Sequence, residues 1–457
     1  MIVMKFGGTS VESAAAIERV AGIVRARADR KPLVVVSAMG KTTNRLLAAA
    51  DKAAAGNLEG ALRDAEELRA FHQREAGAVC GPERMAVLEP ALARHFGELE
   101  ETLETVAKEG QVTPALWDET ASYGERLSSL VVTSAFGALG LEAAHLDARE
   151  VLITDSRHTQ ALPLYSRTYA RFQEKAAPLL ERGVAVMGGF IGSTPQGVTT
   201  TLGRGGSDFS ASIAGAGIGA EEIQIWTDVD GMLSCDPRVA EGGHLVKVIS
   251  FAEAAELAYF GAKVLHPSTV LPAVEKNIPV RILNSRRPDV EGTRIVAEAV
   301  PSRINPVKSI ACKRGITIVN IRSLRMLMAH GFLRRIFEVF DRYRTPVDMV
   351  STSEVSVSLT VDRTDQMSEI EAELSRIAEV SVLRGQAIIC LVGDAIRETP
   401  GVSARVFASL RDVNVRMISQ GASLLNLSFV VDEDDLVRAV KSLHAEFFSQ
   451  LDPEVFA

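Results

Sequence analysis

Missing from this chain are long uninterrupted apolar runs, dense basic tracts and clustered cysteines, and each absence removes a class of function. A membrane-spanning helix needs about 20 consecutive apolar residues. The uncharged stretch 127–141 is too short for that, and 183–203 is broken up by Gly, Thr, Ser and Pro. The N-terminal apolar run meets Lys5 and a glycine pair after four residues, so no secretory signal is read there. Four cysteines, Cys80, Cys235, Cys312 and Cys390, stand far apart with no CxxC pair. That pattern argues against a zinc site and for reduced thiols in the cytoplasm. A formal net charge of −8 without a Lys/Arg block argues against a nucleic-acid partner. What remains is 47% hydrophobic and 24% charged residues over 457 positions, enough apolar material for two to four soluble domains.

The stretch Met-Ile-Val-Met-Lys5-Phe-Gly-Gly-Thr-Ser-Val11 organises the rest. An apolar run of this length predicts a strand buried on both faces of a parallel sheet. Gly7 and Gly8 allow a tight turn and the approach of a ligand to the amides. Thr9-x-x-Glu12 reads as a capping box, and Ile17, Val20, Ala21 and Val24 recur at helical spacing behind it. A strand, a glycine turn and a helix N-terminus make an anion site with Lys5 at its edge; an ordinary βα turn with a snorkelling lysine is the plainer alternative. Residues 32–40 repeat the same logic, with Thr42, Thr43 and Asn44 starting a second helix. Two such units predict an α/β sheet binding ligands at its strand C-termini. From 46 to 114 the Ala, Leu, Glu and Arg content predicts an all-helical insertion. Residues 117–135 predict a further helix, in which Gly124 before Glu125 serves close packing or ligand approach. Strands are expected at 142–146, 151–153 and 184–191.

A second dense loop, Thr199-Thr-Thr-Leu-Gly-Arg-Gly-Gly-Ser-Asp-Phe-Ser210, again describes backbone donors aimed at an anion. Arg204 supplies a fork for a carboxylate or phosphate. Asp208 either caps the following helix or orients a lysine or the attacking group. The segment 215–220 matches a relaxed G-x-G-x-x-A pattern, but it follows a helix and precedes a strand, so it reads as a helix end and turn. Neither a Walker A loop nor a protein-kinase H-R-D is present. The strand 223–228 ends on Thr227-Asp228, Asp236-Pro-Arg238 turns, and Lys263 lies in apolar surroundings ahead of His266-Pro267. From about 316 the pattern β-α-β-β-α-β occurs twice. Gly331 and Gly401 stand 70 positions apart, as do Arg335 and Arg405, Phe337 and Phe407, and Ser353 and Ser423. Two tandem ferredoxin-like modules follow, with binding or regulation expected there in preference to catalysis.

Lys5-Phe-Gly-Gly-Thr-Ser-Val11, Thr201-Leu-Gly-Arg-Gly-Gly-Ser-Asp208, Trp226-Thr-Asp228 and Phe260-Gly-Ala-Lys-Val-Leu-His-Pro267 together closely resemble the aspartate kinases, over essentially the whole chain. The resemblance implies an amino-acid-kinase-like three-layer α/β/α sandwich over 1–300, followed by ferredoxin-like ACT domains at 301–383 and 384–457. The helical insertion resembles that of the lysine-sensitive branch, and no fused homoserine dehydrogenase follows. The implied reaction moves the γ-phosphoryl of ATP to the β-carboxylate of L-aspartate, the first step toward lysine, threonine and methionine. By the same resemblance, Lys5 and the amides of Gly7 and Gly8 bridge the β- and γ-phosphates, and Asp208 orients Lys5. Arg204 clamps the substrate α-carboxylate, Glu125 takes its ammonium group, and Thr43 and Ser207 assist. Thr227, Asp228, Arg238 and Lys263 hold the nucleotide, with Mg²⁺ mainly on phosphate oxygens and no protein metal site. Where similar relatives carry Tyr near the adenine, this chain has Leu233. Feedback by an end-product amino acid, lysine, is implied for the ACT pair, with Asp348 and Glu354 on its ammonium group and Phe332, Leu333, Ser353 and Val355 lining the site. A homodimer or homotetramer through the ACT domains is expected. Two rivals stay open: a related amino-acid kinase with another carboxylate substrate, and a non-catalytic amino-acid sensor.

Overall fold

In a computed structural model of the chain, residues 1–261, 265, 267–323 and 330–457 are described. In chain order the first elements are β1 (Ile2–Phe6), α1 (Ala14–Arg25), β2 (Pro32–Val36), α2 (Thr42–Ala54), α3 (Leu58–Glu109) and α4 (Pro114–Ala138). Next come β3 (Ala143–Leu146), α5 (Ala148–Val151), α6 (Tyr165–Arg171), α7 (Ala177–Leu180), β4 (Val184–Gly188), β5 (Ile191–Ser193) and β6 (Thr199–Thr201). Then follow α8 (Gly206–Ile218), β7 (Glu222–Thr227), β8 (Val248–Ser250), α9 (Phe251–Tyr259), α10 (Leu271–Glu275), β9 (Val280–Asn284) and β10 (Thr293–Val296). The last part holds β11 (Val307–Arg322), α11 (Phe332–Arg342), β12 (Val350–Thr352), β13 (Ser356–Val361), α12 (Met367–Leu374) and β14 (Glu379–Gly393). It ends with α13 (Val402–Ser409), β15 (Val415–Gln420), β16 (Asn426–Asp432) and α14 (Leu436–Phe447).

The chain packs as two units, 1–231 with 265–298, and 232–264 with 299–457. In the first, strands run in the order β3-β4-β2-β1-β7-β9-β10, parallel except for the β9–β10 pair. All five residues of β2 are buried, as a parallel strand covered on both faces must be. Alternation along β1 decides the rest. Ile2, Met4 and Phe6 join the aliphatic core formed with α1 to α4, so Lys5 is turned to the opposite face. The helical insertion is present as expected. Gly81, at φ 70°, and Pro82 break α3, and the chain doubles back so that Arg69 meets Glu100 at 2.5 Å and His72 meets Phe96.

Local readings needed correction at three places. The capping-box reading of Thr9 and Glu12 gives way to a single 3-10 turn over Gly8–Ser10, and α1 starts later, capped by Ser13, whose Oγ accepts from the Ala16 amide. Gly7, at φ −70°, does not use glycine's freedom; Gly8 is needed for closeness, since a Cβ there would sit 2.8 Å from the Ala38 carbonyl oxygen. Of the strand expected at 151–153, Val151 instead ends α5, a short helix capped by Asp147, which accepts from the Arg149 amide, and Ile153 makes only an isolated parallel bridge to Ser193.

In the second unit the two ACT copies are interleaved in one six-stranded sheet, β12-β13-β11-β14-β16-β15. The downstream half of β11 pairs with β13 and with the start of β14, while its upstream half, from Val307, pairs with the end of β14. The fold is α/β with ferredoxin-like modules, but the second copy takes a strand from upstream of the first. Residues 232–264 also pack into this unit: Ile310 N–H donates to the Ser234 carbonyl at 2.8 Å, and Lys308 pairs with Glu253 at 2.9 Å. Both of those side chains are fully buried, and breaking such a pair costs about 3–5 kcal/mol.

Candidate functional site

The first unit holds a cleft of about 570 Å³ lined by Lys5, Thr43, Glu125, Arg204, Ser207 and Asp208, all of them expected from the sequence. They arrive on β1, α2, α4, the glycine loop and α8, the last carrying both Ser207 and Asp208. Lys5 leaves β1 on the face occupied by α8, and its Nζ lies 2.6 Å from Asp208 Oδ1. Asp208 belongs to the first turn of α8. A carboxylate there is favoured by the helix dipole, and it fixes the direction of a cation that would otherwise sample many rotamers. Arg204 stands exposed in the glycine loop and makes no ion pair among the described residues, so its fork is open to a ligand.

Glu125 is the group most altered by its surroundings. It sits in mid-helix on α4, almost wholly buried. The helix can come this close because residue 124 is glycine: a Cβ there would lie 2.8 Å from the Ala38 Cβ and 3.0 Å from Thr43 Oγ1. Packing therefore outweighs the ~1 kcal/mol by which glycine disfavours a helix. The Ala38 amide donates to Glu125 Oε1 at 3.1 Å, and Oε2 has no hydrogen-bond partner among the described residues. Burial raises its pKa to about 8, with the Ala38 hydrogen bond acting against the rise. A buried carboxyl with one empty oxygen, facing a cleft, is a site for a cation supplied from outside.

On the nucleotide side the picture is less complete. The Gly7 amide is turned to the Trp226 carbonyl at 3.3 Å, so it is already engaged and Gly8 is the remaining glycine of the pair. Thr227 and Asp228 end β7, and the Thr227 hydroxyl donates to Asp228 at 3.2 Å. Arg238 lies in the second unit, exposed and held in a fork by Asp236. Its hydrogen bonds to Asp236 raise its pKa. Lys263 and His266 lie outside the described residues.

Residues 1–284 match the amino acid kinase family and 389–447 match an ACT domain. The chain is 39% identical to chloroplastic aspartokinase 3 of Arabidopsis thaliana, over 98% of this chain and 81% of that one. It is 38% identical to the lysine-sensitive aspartokinase 3 of Escherichia coli, over 98% and 99%. Among solved structures, E. coli aspartokinase III with lysine and aspartate superposes with a TM-score of 0.84 at 36% identity, covering 98% of this chain and 99% of that one. The same enzyme with aspartate and ADP gives 0.80 at 36%, covering 98% and 100%. This chain belongs to the aspartokinase family. It is accordingly an ATP-dependent kinase.

The residues expected to bind a family effector are only partly brought together. The Asp348 side chain is buried, but its Oδ1 already accepts from Lys313 Nζ at 2.8 Å and from the Tyr259 hydroxyl at 3.2 Å, leaving Oδ2 without a partner among the described residues. Phe332 is buried at the start of α11, while Leu333, Ser353 and Glu354 are exposed. Ser353 shares a hydrogen bond with Ser356 at 2.7 Å, and the Val355 carbonyl accepts from the Ser323 amide. Leu233, the departure from the family's tyrosine, is half-buried, and its carbonyl accepts from Ser309 at 2.7 Å.

Sequence reasoning missed Ser37, Trp117, Thr159, Gln160 and Phe190, which also line the cleft. Phe190 follows a visible Gly188-Gly189 pair and could have been found from it. Thr159 and Gln160 sit in a loop with no local signature. No cluster of three His, Cys, Asp or Glu side chains suited to a metal occurs among the described residues, and no helix there is long and apolar enough to cross a membrane.

Proposed function

We propose that this chain transfers the γ-phosphoryl group of ATP to the β-carboxylate of L-aspartate, giving 4-phospho-L-aspartate. The observation that carries the reading is one cleft holding a Lys5–Asp208 pair, an unpaired Arg204 and a buried Glu125 with an empty oxygen. An amino acid with a second carboxylate fits that set. Its ammonium group meets Glu125, its α-carboxylate meets Arg204 with Thr43 and Ser207, and its β-carboxylate is left toward Lys5.

A carboxylate is already a nucleophile at neutral pH, so no general base is required. One β-carboxylate oxygen forms a bond to the γ-phosphorus, the bond from that phosphorus to the β-phosphate oxygen breaks, and ADP departs with the electron pair. The protein must hold two anions in line and balance charge on the moving group. Lys5, fixed by Asp208, supplies that charge beside the Gly7–Gly8 turn. Thr227, Asp228, Arg238 and Lys263 belong to the nucleotide side of this reading. Asp208 faces Lys5, and in this reading Mg²⁺ would take most of its ligands from phosphate oxygens. When bound, that ion shields phosphate charge.

Lysine is the proposed inhibitor, through the ACT modules. Exposed Leu333, Phe337 and Val350 support a homodimer or homotetramer formed there. Four unpaired cysteines support a reducing, cytoplasmic compartment. Trapping with hydroxylamine tests the chemistry: ATP and aspartate should yield a hydroxamate, and glutamate little. No product from aspartate, or more from glutamate, would overturn the reading.

A further inference from the structure

Seven residues before Glu125 on α4, about two turns of helix, lies Asp118, a fully buried carboxylate that the proposed reaction does not use. It accepts from the Thr201 hydroxyl at 2.5 Å, from the Thr159 amide at 3.0 Å on both oxygens, and from His158 Nδ1 at 2.7 Å. Among the described residues no lysine or arginine pairs with it. Burying a carboxylate is unfavourable unless its hydrogen bonds are filled, so what fills them here indicates what the residue holds.

One of its partners, Thr159, belongs to the wall of the cleft, and the other two, His158 and Thr201, stand beside it in the chain or just ahead of the glycine loop. Thr159 and Gln160 line it, and Thr201 ends β6 three residues before Arg204. Thr159 has φ 68°, a left-handed conformation that a threonine seldom adopts, and its amide is the one clamped by Asp118. Its carbonyl is pressed on Gly203, where a Cβ would come within 3.0 Å of it. The Ala161 amide closes the loop onto the Thr201 carbonyl at 2.9 Å. The phosphate side is built separately: the Gly7 amide bonds Trp226, and Ser10 bonds Ser285 at 2.9 Å.

We infer that Asp118 is a positioning residue that holds the Thr159–Gln160 wall and the Arg204 loop in register with Glu125 on the same helix, and thereby sets affinity for the amino-acid substrate but not for the nucleotide. The inference rests on the reading of Arg204 and Glu125 as substrate ligands. The steric reason is direct. The spacing between the ammonium and α-carboxylate ligands is the spacing between α4 and the glycine loop, and Asp118 bonds both sides of it.

Steady-state kinetics on the full-length protein test this. Asp118→Asn keeps the shape but loses an acceptor, and should raise KM for aspartate about ten-fold or more. KM for ATP should stay within about two-fold and thermal unfolding within a few degrees. Thr201→Val should raise KM for aspartate in the same selective way, and Thr201→Ser, which keeps the hydroxyl, should restore it. The Thr201 pair decides the matter if Asp118→Asn does not fold. Equal rises in both Michaelis constants, a loss of stability without selective loss of aspartate affinity, or no difference between the Val and Ser variants would each overturn the inference. Because the wild type is the reference, failure of the aspartate reading itself would be seen first, as absent wild-type turnover.

Discussion

Glu125 in the first unit and Asp348 in the second both have side chains withdrawn from water and one oxygen without a partner among the described residues, and each is proposed to receive the ammonium group of an amino acid, yet only Asp348 is already paired with a cation. Among the described residues Glu125 has no cation beside it and its Oε2 has no partner, and burial lifts its pKa to about 8. Asp348 is already served by Lys313, which also reaches Asp362 at 2.9 Å, and by Tyr259. Burial acts to lower the Lys313 pKa, but its hydrogen bonds to Asp348 and Asp362 outweigh that and raise it, so the resident cation stays charged. A substrate ammonium arriving at Glu125 supplies a missing charge and displaces a proton. An effector ammonium arriving at Asp348 must displace or share with an ammonium of the same chemical type. The contrast suits a catalyst that takes its substrate readily and answers its end product only when that product is abundant.

Removing the carboxylate that has no paired cation among the described residues should have the largest effect. Glu125→Gln leaves a neutral side chain of the same shape, and kcat/KM for aspartate should fall by about 10²-fold or more, since truncating one member of a buried charge pair costs ~2–5 kcal/mol. KM for ATP should hardly move; an equal change in both would place Glu125 in the scaffold and not in the substrate site. Removing the resident cation from the other carboxylate is expected to act in the opposite sense. Lys313→Met should lower the lysine concentration needed for half-inhibition by roughly ten-fold, because an internal competitor is gone. Unchanged or weaker inhibition would mean that Lys313 supports the site and does not compete for it.

A pH series sharpens the same contrast. Because the ammonium group binds the ionised carboxylate, KM for aspartate should fall as pH rises through about 8, by roughly five-fold between pH 7 and 8, and level off only above about pH 9. Inhibition by lysine should show no matching step, since Lys313 remains charged throughout that window. A pH-independent KM in the wild type, or a slope that persists in Glu125→Gln, would separate Glu125 from the effect. The smallest signal is in unliganded stability. The folded pKa of Glu125 lies above its ordinary value of 4.5, so the stability it contributes is fully present below that value and is lost as pH rises through about 8. Relative to Glu125→Gln, the wild-type melting temperature should decline by a few degrees between pH 5 and 8, and calorimetry of the two proteins side by side reads that difference.

Most of the cleft was legible because its parts are local patterns. A strand that ends in glycines, a glycine loop with an arginine, and an acid in a first helical turn each announce themselves within about ten residues. The pairing of Lys5 with Asp208 could be anticipated from chemistry, since an embedded cation calls for a counter-charge. The Thr9–Glu12 reading failed because several hydroxyl residues stand together there, and only packing selects Ser13 as the cap. Thr159 and Gln160 were invisible because a buried acid on α4 holds them, 41 positions away in the case of Thr159. The interleaving of the ACT copies was hidden for a related reason. Both repeats read correctly along the chain, but β11 and β14 are each long enough to serve both copies, and strand pairing between distant segments leaves no periodic trace.

By itself the sequence determined the α/β class, the duplication, the family and the charged residues of the phosphoryl-transfer end, because these depend on spacing and residue type at short range. Only the tertiary structure decided that Glu125 is buried with no cation beside it among the described residues while Asp348 is paired with Lys313. Burial and partnership are properties of what the rest of the chain brings alongside. The same carboxylate chemistry becomes an open site or an occupied one according to which side chain, far off in sequence, packs against it.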